Sequence, residues 1–218
     1  MRTQETAGDD VRAPSRDRSP IERPVGYGFV ALAGVALCAL AGVLVHRDDV
    51  GGFEIAVFEF LNRFPGFLEE PNWVVMQLGN LVAAPAAAIV ALVGKRWRLA
   101  LGLALVAPGK LVISRTVKML AERHRPHVLV EDVVRRDEFS GGLAFVSGHV
   151  LIAFALAIVA HPYLGRRGRI VVWTLAGLVA FGRVYVGAHL PLDVVGGAAV
   201  GLALGAIINL LIGVPRRG

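Results

Sequence analysis

The chain has 218 residues, 55% hydrophobic and 18% charged, with a mean hydropathy of +0.61 and a single cysteine, Cys38. A chain this apolar has too little polar surface for a water-soluble domain, and one cysteine excludes both a disulfide framework and a cysteine-built zinc site. The net charge of +6 does not point to nucleic acid, because the basic residues fall in short clusters between apolar runs rather than along one stripe with interleaved aromatics.

Residues 1–23 are polar and rich in Arg, Asp, Ser and Pro, which predicts a disordered tail. The apolar run that follows is too long and too poorly terminated for a cleaved leader and reads as a membrane anchor. Runs at 25–45, 72–94, 99–119, 147–164, 170–188 and 191–213 each approach the roughly 20 residues that cross a bilayer. Between the first two, FEIAVFEFLNRF (53–64) is amphipathic and too short to span, which predicts a helix at the interface or against the bundle. In the last run, GGAAVGLALG (196–205) places small residues four apart, a spacing that permits close helix packing. The expected fold is all-α, an integral membrane bundle of about six transmembrane helices plus a short interfacial helix, forming one membrane domain over 24–215.

Lys and Arg set the expected orientation. With the N-terminus in the cytoplasm, the inside segments hold thirteen of them, in the tail, KRWR (95–98), RRGR (166–169) and PRRG (215–218); the outside segments hold six. That excess predicts a multi-pass plasma-membrane protein with both termini cytoplasmic.

Three polar groups then stand at the outer ends of helices: Lys118 and Arg125 in KMLAERHRP, Ser147, Gly148 and His149 in VSGH, and Arg183, His189 and Asp193 in FGRVYVGAHLPLD. The three cations supply the charge and forked donors that bind phosphate. Ser-Gly-His at a helix N-terminus adds backbone N–H groups, a hydroxyl and the positive end of the helix dipole, and Gly148 lets the backbone approach an anion. Two histidines can divide attack and leaving-group protonation between them. Asp193, four residues beyond His189, can accept a hydrogen bond from Nδ1–H and leave Nε2 with its lone pair free.

K-x6-R-P, S-G-H and R-x5-H-x3-D together resemble the three-part signature of the type 2 phosphatidic acid phosphatase superfamily, in matching order and spacing from Lys118 to Asp193. That family includes lipid phosphate phosphatases, undecaprenyl-diphosphate phosphatases, soluble acid phosphatases and vanadium haloperoxidases. Two positions depart from its usual pattern: Val146 stands where Pro is usual, and Gly182 where Ser is usual. The resemblance implies His189 as a nucleophile forming a phosphohistidine, Asp193 as the group that orients it, and His149 as the proton donor to the leaving oxygen and activator of water. It implies Lys118, Arg125, Ser147, Gly148 and Arg183 as the phosphate-binding set, with no metal and no cofactor.

The function this implies is hydrolysis of a lipid phosphate or diphosphate in the bilayer. An extracytoplasmic site favours undecaprenyl diphosphate, a carrier lipid of bacterial envelope synthesis; phosphatidylglycerol phosphate and phosphatidic acid are the alternatives. A vanadate-dependent haloperoxidase is disfavoured by six spans, and a lipid-phosphate binder without turnover by the complete His–His–Asp set. Among the other polar residues, Lys110 and Arg115 read as snorkelling anchors, His124 and His127 as loop residues near a headgroup, His46 and His161 as structural, and the 121–146 loop as a possible gate.

Overall fold

The computed structural model describes residues 20–136 and 141–216. Helix α1 (Gly26–Leu44) is followed by a 3-10 turn (His46–Asp48), α2 (Gly52–Asn62) and α3 (Glu69–Met76), the last flanked by 3-10 turns at Gly66–Leu68 and Gln77–Gly79. Then come α4 (Ala83–Val93), α5 (Trp97–Ala121), the single turn α6 (Pro126–Leu129), α7 (Gly148–Ala160), α8 (Arg166–Tyr185) and α9 (Pro191–Ile212). The protein is an all-helical membrane bundle. Among the described residues α1, α8, α9 and the stretch Trp97–Leu129 that holds α5 are long and apolar enough to cross a bilayer, and Phe29, Val90, Val93, Val112 and Leu120 point outward as a lipid-facing surface would.

Two expected spans differ from simple helices. The run 72–94 is broken, with Gly66–Gly79 and Ala83–Val93 meeting at 69°. Asn80 is extended at the break (ψ 152°), and Pro85 sits in the first turn of α4, where its missing N–H costs no intrahelical bond. The run 147–164 holds only the 13-residue α7 before the 3-10 turn His161–Tyr163, where Pro162 ends the helix. It is the central helix, with Val150, Leu151, Ile152, Ala155 and Val159 all buried.

Glycine makes that burial possible. α7 and α9 run in the same direction, and a Cβ added at Gly197, Gly201 or Gly205 would lie 2.7, 2.5 or 2.8 Å from the carbonyl oxygens of Ser147, Leu151 and Ala155. The two backbones touch along this seam, which fixes the start of α7 against the start of α9; the Ser147 N–H donates to the Asp193 carbonyl at 3.0 Å.

The opposite end of the bundle is tied by arginines to the unpaired carbonyls that end helices. Arg23 donates to Leu210 and Leu211, Arg98 to Ile212 and Arg96 to Tyr163. Ile21–Glu22 (β1) pairs antiparallel with Val214–Pro215 (β2), so the two ends of the described chain meet. Residues 20–23, expected in the tail, are thus held by backbone pairing and by Arg23; residues 1–19 lie outside the described residues.

Candidate active site

The three polar groups converge on one cavity of about 610 Å³, at the end of the bundle where α5 and α8 finish and α7 and α9 begin. Lys118, Arg125, Gly148, His149, Arg183 and His189 line it. Ser147 and Asp193 stand behind the wall, both fully buried. His124 and His127 do not line it: His124 faces outward and bonds Asp48, ring Nδ1 to carboxylate at 2.6 Å and backbone N–H to carboxylate at 2.9 Å.

His189 lies in the link between α8 and α9, 2% exposed. Its Nε2 is 3.1 Å from Arg125 Nη1. A guanidinium can only donate, so Nε2 accepts there and Nδ1 carries the proton. Nδ1 faces Asp193 Oδ2 at 3.5 Å and is buried with no hydrogen bond. Burial first, then the charges of Arg183, Arg125, Lys118 and His149, holds the imidazole well below its ordinary range. A neutral ring whose Nε2 faces a cationic cavity, its lone pair taken by Arg125 until an anion draws that guanidinium away, has the chemistry of a nucleophile.

Asp193 has two structural tasks beside the one it offers His189. As the third residue of α9 its Oδ2 accepts the Leu190 N–H at 2.9 Å, closing the first turn, and Pro191 at the first helical position presets the helix. Its Oδ1 accepts from Arg123 Nη1 at 3.0 Å. Arg123 in turn makes a forked pair with Glu54 of α2 at 2.7 and 3.2 Å, and Glu54 also accepts the Leu192 N–H at 2.8 Å.

Loop carbonyls position two of the cavity's cations. Arg125 donates to Ala188, Gly141 and Gly142, and Lys118 Nζ to Leu143. Ser147 precedes α7 in extended conformation without capping it, and its hydroxyl is buried without a partner. The broken second run supplies the remaining wall through Trp73, Met76, Gln77 and Asn80. Gly79 makes that approach possible, since a Cβ there would lie 2.8 Å from both the Cβ and the carbonyl oxygen of His149.

Several lining or supporting residues were not identified as such from the sequence. Lys110 is a wall residue rather than a snorkelling anchor, and Ser114, one turn on, lines the cavity with it. Arg136 lines the cavity too, stacked 4.3 Å over the Tyr185 ring and donating to the carbonyls of Asn62, Phe64 and Tyr185. Lys110, Ser114 and Lys118 share one helical face at four-residue spacing, a signal the sequence did contain.

The fold is similar to that of two solved phosphatases. One is the first transmembrane PAP2-type phosphatidylglycerolphosphate phosphatase from Bacillus subtilis, at a TM-score of 0.68 and 22% identity over 83% of this chain and 94% of that one. The other is Aquifex aeolicus LpxE, at 0.64 and 24% identity over 75% of this chain and 98% of that one. No curated protein matches the sequence. The family model of the PAP2 superfamily matches residues 96–216, more than half of the chain and a stretch that holds all three polar groups, and the protein belongs to that superfamily.

Proposed function

We propose that the protein is a metal-independent phosphatase that hydrolyses a lipid phosphate or diphosphate through a phosphohistidine, at the extracytoplasmic face of the membrane. The observation that carries this reading is the placement of His189, Nε2 toward the cavity and Asp193 behind Nδ1, among Lys118, Arg125 and Arg183. His189 Nε2 attacks phosphorus. The bond to the leaving oxygen breaks with its electron pair on that oxygen, and His149 protonates it. Water, losing a proton to His149, then hydrolyses the P–N bond and frees phosphate. The cations neutralise the charge developing on the phosphoryl oxygens and the Gly148 amide donates to them; the Ser147 hydroxyl, buried behind the wall without a partner, is the remaining donor of the set. Cations line the cavity, and no carboxylate does among the described residues, a wall that repels a divalent metal.

Undecaprenyl diphosphate is the leading substrate: the Lys and Arg distribution favours a site on the outer leaflet, where that carrier must be dephosphorylated after delivering its cargo. The Bacillus subtilis neighbour supports a second reading, phosphatidylglycerol phosphate. The test is phosphate release in detergent micelles with EDTA, using undecaprenyl diphosphate, phosphatidylglycerol phosphate and phosphatidic acid, with His189→Ala as control. Release that depends on His189 and survives EDTA is expected. Release that requires added magnesium would remove the metal-free mechanism, and equal release by His189→Ala would remove the nucleophile.

A further inference from the structure

The cavity holds more positive charge than one phosphoryl group needs. Lys110, Lys118, Arg125, Arg136 and Arg183 line it, with no carboxylate among the described lining residues. Lys110 lies outside the three signature groups. A Cβ added at Gly148 would lie 2.9 Å from Lys110 Cε, 3.5 Å from its Nζ and 3.9 Å from Ser114 Oγ, so both side chains close on the glycine that precedes His149. Lys110 forms no ion pair among the described residues, and Ser114 is 6% exposed. A lysine half-buried in a membrane helix with no carboxylate partner is costly unless an anion meets it.

We propose that Lys110 and Ser114 form a subsite for a second phosphate, which makes the substrate a lipid diphosphate rather than a monophosphate. This rests on the phosphatase reading above and selects within it. Lys110 lies two turns, roughly 12 Å along the axis, from Lys118 toward the middle of α5 and hence toward the bilayer interior. The lipid tail runs in that direction, and in a lipid diphosphate the inner phosphate sits between the reacting phosphorus and the tail. His189 Nε2 bonds to the terminal phosphorus as its bond to the bridging oxygen breaks, and the electron pair stays on that oxygen. The leaving group is the lipid monophosphate, whose negative charge faces Lys110 beside His149. Water then releases inorganic phosphate from His189, so lipid diphosphate and water give lipid monophosphate and phosphate. A monoester releases an uncharged alcohol and leaves Lys110 with nothing to neutralise.

The test compares farnesyl diphosphate with farnesyl monophosphate, which share one tail, in wild type, Lys110→Met and Lys110→Arg. The quantity read is the ratio of kcat/KM for the two esters. A charged contact to phosphate predicts that Lys110→Met lowers this ratio by about tenfold or more and that Lys110→Arg restores most of it. A ratio unchanged within about twofold in folded Lys110→Met, whether both activities fall together or neither falls, overturns the subsite. Lys110→Gln and Ser114→Ala, read in the same way, decide the matter if Lys110→Met does not fold. A calorimetric arm measures binding of inorganic pyrophosphate and inorganic phosphate to the same proteins. If wild type cleaves neither ester, the phosphatase reading fails, and this arm still decides the subsite. Loss of pyrophosphate preference in Lys110→Met supports it, and a retained preference removes it.

Discussion

Arg123 and Asp193 meet at 3.0 Å with neither side chain exposed, and the same guanidinium is forked onto Glu54 of α2. The carboxylate behind His189 is therefore held from the far side by a buried ion triad, of which only Glu54, 6% exposed, reaches solvent. Removing the arginine leaves two carboxylates buried beside one another. Arg123→Met is expected to cost about 3–5 kcal/mol of stability. It should also lower kcat by more than about tenfold with little change in KM, because Asp193 loses its fixed orientation while the cations lining the cavity stay. Glu54→Gln, which keeps an acceptor for Leu192 N–H, should be milder in both respects. Thermal melts in detergent beside steady-state kinetics check this; a KM effect larger than the kcat effect would make Arg123 a binding residue instead.

The dyad itself predicts a kinetic split. Asp193→Asn keeps the size of the side chain but removes the carboxylate charge that faces both His189 Nδ1–H and Arg123. Turnover is expected to fall by about 100-fold or more, with KM changed by only a few-fold. Single-turnover measurements with excess enzyme should place the loss in formation of the phosphohistidine.

The depressed basicity of His189 predicts the shape of the acid limb. Attack needs the neutral ring, and burial together with Arg183, Arg125, Lys118 and His149 keeps it neutral below the ordinary imidazole value of 6.5. The limb of kcat/KM that reports this group should therefore lie below pH 6.5, and Arg183→Gln should move it upward. Stability follows the same sign. Between the folded and unfolded pKa values the unfolded chain binds more protons at this site, so the contribution of neutral His189 is present above about pH 6.5 and is lost as pH falls from there. Melting temperature against pH, in wild type and His189→Gln, measures it.

The bundle and the cavity's signature residues were legible because both are written locally: apolar runs of spanning length, and three short groups whose spacing the chain itself fixes. Arg123 was not, since it lies in the unconstrained stretch between Lys118 and Arg125 and its partner Glu54 is distant in sequence. The amphipathic pattern of 53–64 predicted a short helix at the interface or against the bundle, and α2 packs there, but the pattern did not tell which side faces inward. Its apolar side faces outward, with Phe53 85% and Phe60 68% exposed, while Glu54, Phe58 and Asn62 turn inward. In lipid, apolar side chains face the solvent and polar ones seek the interior, so a charged face reads as surface only if water is assumed. The break between α3 and α4 was hidden because hydropathy averages over it, and a tertiary contact between Gly79 and His149 accompanies it.

The glycine seam between α7 and α9 predicts loss of activity without touching a polar residue. At Gly197 an added methyl would meet the Ser147 carbonyl at 2.7 Å, and backbone cannot yield by a rotamer change. Gly197→Ala must push α7 from α9 and stretch the Ser147 N–H to Asp193 carbonyl bond that sets Gly148 and His149 against His189. A loss of about 1–3 kcal/mol and a marked fall in kcat are expected, whereas Gly177→Ala, with open space at its Cβ, should change neither. Equal behaviour of the two variants would show that the seam does not position the site.

Gly182 offers a test of how this chain compensates for the serine usual at that position in its superfamily. A Cβ there would fall 2.2 Å from Asn72 Oδ1 and 3.2 Å from Met76 Cγ, so Asn72 occupies the space a serine side chain would need. Asn72 is itself buried, with its Nδ2 lacking a partner, and Met76 Sδ stands 3.8 Å from Arg183 Nη1. Gly182→Ser alone should therefore destabilise, by about 1–3 kcal/mol, and disturb Arg183. Adding Asn72→Ala clears the space, removes the unsatisfied amide and leaves the new hydroxyl beside Arg183. The double variant should recover most of the lost stability, and its coupling energy should exceed the roughly 0.5 kcal/mol within which distant sites add. Additive melting shifts would show that Asn72 and residue 182 do not compete for one position.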